Sequence, residues 1–463
     1  FIPTFVTLAN IFGGIVYAFA AINIGLFVRL LIHKKDKYKD ISYGLIFIII
    51  SFIYLIPSIH RYIFSGYIVG NWFFPISESL QPTGISMFFS LITIMIPLLI
   101  ECQILNQKRI IFISYLTHAI CIFIHPVISL FQVIIAFMIP IINRGNSSIV
   151  NWPKIIKYYL IIWIIGCLSL YIYFKQIPIN INDLFRIYVI ERHPHHYLPS
   201  FYFNKVSWIF IGLNLLTLIA INSYKKFADK RVYLCSILAL IILITTHSIQ
   251  FIGVELLKIE FLIKLGISRM SSCFNFLYIS IITTTVLKCL NTFSIRMYKD
   301  KKKNILTRLK TFKFINLTLL LIICFSTINI YYTSANAINK NDIKFFAEHI
   351  NKINLKSNSE FIFDRELNNK FSRLREIGGL NIYSDDYFPF NTSSMVEWSK
   401  RKNNLNELLF CIQSGTKYCA INHKNKSDIY FLSKEIKNNL KLENKFKIKE
   451  KEYFLYRVNN FIS

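Results

Sequence analysis

Val232 to Phe251 reads VYLCSILALIILITTHSIQF, a run free of Asp, Glu, Lys and Arg. Wound as a helix, it is about as long as the hydrocarbon core of a bilayer is thick, roughly 30 Å. Phe314 to Tyr332 has the same character, and Ile155 to Phe174 departs from it only at Lys157. Apolar residues in long runs, with no alternation of polar and apolar positions, mark membrane helices and not a soluble core. The chain as a whole agrees, with 54% of its 463 residues hydrophobic and 16% aromatic.

Working outward from these runs, the charges fall between them. A formal net charge of +28 would fit nucleic acid only if the basic residues shared one soluble surface. Instead they collect in Lys34 to Lys39, Lys108 to Arg109, Arg144 to Lys157, Lys225 to Arg231 and Arg296 to Lys313. Such segments read as cytoplasmic loops, with anionic lipid headgroups as their counter-charge and no nucleic-acid partner. From Thr333 onward there are 22 Lys and Arg against 15 Asp and Glu, so the tail is only mildly basic.

With the basic loops inside, helices are predicted at Ile11 to Ile32, Tyr43 to Ile63, Ile85 to Ile104, Ile155 to Phe174, Trp208 to Ile221, Val232 to Phe251, Ser272 to Leu290 and Phe314 to Tyr332. Ile110 to Ile142 has basic residues on both flanks and must cross an even number of times, yet it is too short for two full spans with a loop. Two short helices meeting at His125 and Pro126 satisfy the count, and helices broken inside a membrane usually face a cavity instead of lipid. The expected fold is mainly α. It is a polytopic transmembrane helical bundle of about ten crossings over residues 1–332, followed by a small extracytoplasmic α/β domain over residues 333–463.

In that tail, strands are predicted at Glu360 to Phe363, Leu380 to Ser384, Tyr418 to Asn422 and Phe446 to Val458, and helices at Met395 to Phe410 and Ser427 to Leu440. The nine cysteines lack metal-ligand spacing; Cys411 and Cys419 in the tail fit either a disulfide or two buried thiols. The chain opens at Phe1 without Met, so a preceding segment is expected, and it shows no cleavable signal-peptide pattern.

The outward loops are Phe64 to Gly84, Lys175 to Ser207 and Ile252 to Ser271. The densest polar cluster lies in the second, as Glu191-Arg192-His193-Pro194-His195-His196-Tyr197-Leu198-Pro199. A guanidinium, three imidazoles, a carboxylate and a phenol in one short stretch suit an anionic headgroup. A solvated turn shaped by its prolines is the plainer account. Asn182 to Ile190, just before it, reads as a short interfacial helix with a polar cap.

Arg269 precedes a membrane helix at the outward face, as a phosphate clamp or a snorkelling side chain. Arg61, beside His60, ends the second helix on the same side, and Glu78 is the only carboxylate of the first outward loop. His118, His125 and His247 fall within apolar stretches, where an interhelical hydrogen bond competes with a functional role. No phosphate-binding Gly-rich loop or nucleophile elbow is present in the sequence. No cofactor is evident, and a divalent metal stays compatible with the residues.

Arg192-His193-Pro194-His195-His196-Tyr197 is similar to the Arg-x-Pro-His-His-Tyr loop of an uncharacterised bacterial membrane protein family. Phe371-Ser372-Arg373-Leu374-Arg375, Tyr383, Pro389-Phe390 and Glu397-Trp398-Ser399-Lys400-Arg401 resemble that family's Arg-bearing turn, strand and Trp-containing helix. In its layout the chain resembles the GT-C superfamily of polyprenyl-linked glycosyltransferases. The resemblance implies an outward-facing active site in a bacterial plasma membrane, built from membrane loops. It would take a sugar from a polyprenyl-phosphate donor and pass it to a glycan, lipid or protein acceptor.

In that scheme Arg192, Arg269 and Arg61 hold phosphate with His195 and Tyr197, and His193 and His196 serve the chemistry. Members of the superfamily carry a catalytic Asp or Glu in the first outward loop, often just after the first helix. Here the first predicted helix starts almost at residue 1, so the base stays open between Glu78 and Glu191. A transporter or flippase of a lipid-linked or anionic solute, and a non-catalytic membrane scaffold, are the alternatives from other classes.

Overall fold

The computed structural model describes residues 2–32, 45–47, 49–50, 82–143, 148–175, 180–192, 194–202, 205–223, 230–297, 360–363, 381–382, 394–397, 399–400, 403, 429–432, 441–448 and 451–457. Its longer helices are α1 (Ile2–Leu31), α2 (Pro82–Glu101), α3 (Ile111–Ile124), α4 (Leu130–Ile142), α5 (Trp152–Lys175), α6 (Lys205–Ser223), α7 (Lys230–Gln250) and α8 (Ser271–Met297). Among the described residues, four stretches are long and apolar enough to cross a membrane: Gly84–Glu101, Trp152–Ile172, Lys230–Leu256 and Ser272–Leu290. The helix predicted at Phe314 to Tyr332 and most of that at Tyr43 to Ile63 lie outside the described residues, and with them the number of crossings.

The chain divides into two compact units, one comprising Leu8–Ile177 and His193–Tyr331, the other Phe1–Thr7, Pro178–Arg192 and Tyr332–Ser463. In the first, α8 is central, with 72% of its spanning stretch buried, whereas α5 is peripheral with 22%. Phe276 of α8 packs edge-on against Phe27 of α1 and Phe131 of α4, at centroid separations of 5.2 and 5.5 Å. Ile161, Ile164, Ile165, Leu168 and Ile172 form an uncovered apolar stripe along α5. A stripe of that length at helical spacing is suited to lipid, not to water.

The expected break is present between α3 and α4. His125 leaves the helix at φ −157° and ψ 96°, because the residue before a proline is forced out of the helical region and Pro126 has no N–H to continue the ladder. Carbonyls freed among apolar helices need donors. Trp163 Nε1–H of α5 donates to Pro126 O at 3.0 Å, and Ser90 of α2 donates to Ile128 O at 3.3 Å. Ser86 Oγ reaches the carbonyls of Cys121 at 3.4 Å and His125 at 3.5 Å. The broken pair is thus sealed by neighbouring side chains.

Polar contacts also fasten the helix ends. Arg231 Nη1 donates to Leu30 O at 2.8 Å, covering a carbonyl at the end of α1. The buried carboxylate of Glu101, at the end of α2, accepts at Oε2 from Ser148 Oγ (2.8 Å), Val150 N (3.0 Å) and Trp152 Nε1 (3.2 Å). Together those three donors join α2 to the start of α5.

In the second unit β1 (Glu360–Phe363), β2 (Asn381–Ile382), β3 (Ile429–Leu432), β4 (Lys441–Ile448) and β5 (Lys451–Arg457) form a sheet of order β2-β1-β3-β5-β4. β1 runs parallel to β2 and β3, while β5 is antiparallel to β3 and β4. Two expectations are corrected. Ile429–Leu432 is a strand, not part of a helix from Ser427 to Leu440; four consecutive apolar and aromatic residues fill a sheet position flanked on both sides. The single strand expected from Phe446 to Val458 is instead the β4–β5 hairpin, whose strands are separated by two residues, a tight-turn length. The strand predicted at Tyr418 to Asn422 and the cysteines Cys411 and Cys419 lie outside the described residues.

Candidate functional site

In the helical unit, two loops that the sequence nominated separately pack together. Pro194–Tyr197 and Pro199–Tyr202 are single helical turns, each opened by a proline whose fixed φ suits the first helical position. Tyr197 is buried, and its carbonyl accepts from Gln250 Nε2, at the end of α7, at 3.0 Å. The backbone N–H of Ser200 donates to Glu255 Oε2 at 3.1 Å. Glu255 belongs to the π-helical turn Phe251–Leu256 that prolongs α7.

The loop returns through the short helix Glu260–Leu265, where Glu260 and Lys264 pair at 2.5 Å. That helix ends on Gly266 in the left-handed conformation, at φ +62°. A side chain there would be strained and its Cβ would lie 3.3 Å from the Tyr197 hydroxyl, so glycine lets the phenol lie against the backbone. Gly266 O then accepts from Arg269 N at 3.2 Å, within the turn Ile267–Met270. The Arg269 guanidinium is hydrogen-bonded to His125 Nε2 at the α3–α4 break. Tyr197, Gly266, Arg269 and His125 therefore form one connected patch where the helical unit interrupts its own backbone.

A second histidine of an apolar helix is handled differently. His118 of α3 presents Nε2 to Tyr159 O at 3.0 Å and Nδ1 to Gln132 Nε2 at 2.6 Å. A carbonyl only accepts, so Nε2 carries the proton and Nδ1 accepts from the amide. Nearby, Thr93 and Thr117 share a hydrogen bond of 2.8 Å and Tyr159 Oη donates to Thr93 O at 3.1 Å. Both ring nitrogens of His118 are spent on joining α3 to α4 and α5.

The other unit places Glu191. Asn180 caps the start of the segment, its Oδ1 accepting from Asn182 N at 2.9 Å, one residue pair earlier than the cap expected at Asn182. Leu184–Arg192 is π-helical, with Leu184, Ile187 and Val189 buried. A π-helix bonds residue i to residue i+5, which brings Arg186 and Glu191 one turn apart, and their side chains pair at 2.8 Å. Asp183 holds the same guanidinium at 3.3 Å. Ser399, buried and 208 residues further on, donates to Glu191 Oε2 at 2.9 Å. Both oxygens of Glu191 are engaged, one by Arg186 and one by Ser399.

Of the residues nominated from sequence, Tyr197 and Arg269 share the patch, and His195 and His196 lie in the same turn as Tyr197. Arg192 ends the π-helix of the other unit beside Glu191. Glu78, Arg61 and His193 are outside the described residues. His125 was legible as a break and as a histidine within an apolar stretch, but its pairing with Arg269 had no signal across 144 residues. Among the described residues, no group of three His, Cys, Asp or Glu stands ready to hold a metal. No family model, curated protein or solved structure matches the chain.

Proposed function

We propose that the chain is a cell-envelope enzyme of the bacterial plasma membrane, transferring a sugar or glycan from a polyprenyl-phosphate-linked donor to an acceptor outside the cytoplasm. The observation that carries the reading is the Arg269–His125 pair at a backbone break, adjoined by the Tyr197 turn of the histidine-rich loop. An isoprenoid phosphate has an apolar tail for the bilayer and a charged head for a guanidinium at its edge. The loop's resemblance to the Arg-x-Pro-His-His-Tyr pattern supports the same chemistry. In this reading the basic loops face the cytoplasm, and the outward loops and the α/β tail face the other side.

Arg269 neutralises the charge that develops on the leaving phosphate. The acceptor hydroxyl attacks the anomeric carbon, the bond from that carbon to the phosphate oxygen breaks, and the hydroxyl proton passes to a carboxylate. Glu191 has both oxygens occupied, which favours Glu78 as that base and gives Glu191 the role of a clasp. His193, His195 and His196 orient the headgroup.

A transporter reading draws on the broken α3–α4 pair, since interrupted helices often line a passage. Here Ser86, Ser90 and Trp163 occupy the freed carbonyls, so those carbonyls are not left to line a passage. Native mass spectrometry of the gently purified protein tests the proposal. A co-purifying polyprenyl phosphate or diphosphate lipid that is lost in Arg269→Ala is expected; bulk phospholipid alone would overturn it.

A further inference from the structure

His118 and His125 lie about two helical turns apart, and only one of them is saturated. The nitrogen of a guanidinium donates and never accepts. His125 Nε2, facing Arg269 Nη1, must therefore offer its lone pair, which puts the proton of the neutral ring on Nδ1. That Nδ1 is buried and has no hydrogen-bond partner among the described residues. A buried N–H beside a cation calls for an acceptor carrying negative charge. The protein's own carbonyls at the break are already taken, and Pro126 brings no N–H of its own to compete for such a ligand.

We propose that His125 is a direct phosphate ligand, donating from Nδ1 to one oxygen of the group while Arg269 engages another. Tetrahedral phosphate offers several acceptor oxygens, so two donors on neighbouring elements reach it without sharing one atom. The proposal rests on the reading above only in taking that phosphate to be the headgroup of a polyprenyl lipid. The site also brings in a histidine from outside the histidine-rich loop, joined to it through Arg269, Gly266 and Tyr197.

The test uses the full chain in phosphatidylcholine nanodiscs, with a polyprenyl monophosphate in one arm and inorganic phosphate in the other. In His125→Gln the amide reaches the Nε2 position and keeps an acceptor for Arg269 but has no donor at Nδ1. In His125→Asn the amide nitrogen sits close to the Nδ1 position and keeps that donor. Binding is expected to weaken on the order of tenfold in His125→Gln and much less in His125→Asn, the scale of one hydrogen bond to a charged group. In the wild-type protein, bound ligand is expected to slow carbethoxylation of His125, mapped by mass spectrometry, which gives a readout independent of how either variant folds.

Weakening and protection with the lipid would support both statements. Weakening and protection with inorganic phosphate alone would support the His125 ligand and remove the lipid-donor reading. Equal binding by wild type and His125→Gln, with no protection of His125, would overturn the inference while co-purification of a lipid donor still decides the function. Binding of neither probe by the wild-type protein would overturn it as well.

Discussion

The surroundings of His118 and of His125 show two uses of a polar side chain inside an apolar bundle. Around His118 the ring nitrogens meet Tyr159 O and the Gln132 amide nitrogen, and Thr93, Thr117 and Tyr159 Oη satisfy one another or a backbone carbonyl, with Gln132 Oε1 left as an unpaired acceptor among the described residues. Around His125 the backbone is satisfied by Ser86, Ser90 and Trp163, and a ring N–H is left over next to a guanidinium. The difference lies in what is left over: near His118 an acceptor oxygen of Gln132, and near His125 an N–H beside a cation, the arrangement that suits an anion. The first should respond to mutation in stability, the second in binding.

The sharpest break of that contrast is Arg269→Ala. Loss of the charge should lower polyprenyl-phosphate binding by well over tenfold, given about 1.5–3 kcal/mol per hydrogen bond to a charged group. A variant that binds as well as wild type in a nanodisc titration would remove Arg269 from the site. Next is Glu101→Leu, far from the patch in the hydrogen-bond network, which strips three donors of one shared acceptor. A loss of about 3 kcal/mol in stability is expected from donors left unpaired, with phosphate binding per folded molecule unaltered. An unchanged unfolding midpoint would show that those donors find other partners.

His118→Leu should cost less, about 1–2 kcal/mol, since hydrogen bonds between membrane helices are individually modest. It too should leave phosphate binding alone; a binding defect as large as that of His125→Gln would erase the distinction between the two histidines. The smallest effect is expected for Ser399→Ala, which removes one of the two anchors of Glu191 at a cost of about 1 kcal/mol. Hydrogen exchange should quicken across residues 181–192, and Ser399→Thr, which keeps a hydroxyl, should restore the slower rate.

Much of the helical layout was legible because it depends on local chemistry. Pro126 ends α3 wherever that helix lies, and the apolar runs located α2, α5, α7 and α8 to within a few residues, apart from a longer C-terminal end of α8. β3 was not legible: Ile429 to Leu432 takes its extended form from strands β1 and β5, remote in sequence and invisible to a local pattern. The hairpin was missed because the apolar residues at the end of β4 and in β5 read as one continuous stretch and the intervening Lys449 and Glu450 are not among the usual turn residues.

The site divides in the same way. Arg269 and Tyr197 stood out by charge and motif, but the contacts that give them meaning come from His125 and Gly266. Glu191 stood out as a carboxylate, and only a π-helical register and a serine from the tail show that its oxygens are occupied. Such pairings across the chain are set by packing, which a single sequence does not display.

The most direct test of the account is an electron cryomicroscopy structure of the full chain in nanodiscs containing a polyprenyl monophosphate. The account predicts phosphate density within about 2.7–2.9 Å of both the Arg269 guanidinium and His125 Nδ1, the spacing of charge-assisted hydrogen bonds. Density for the headgroup elsewhere, with the Arg269–His125 pair in contact only with protein, would contradict it.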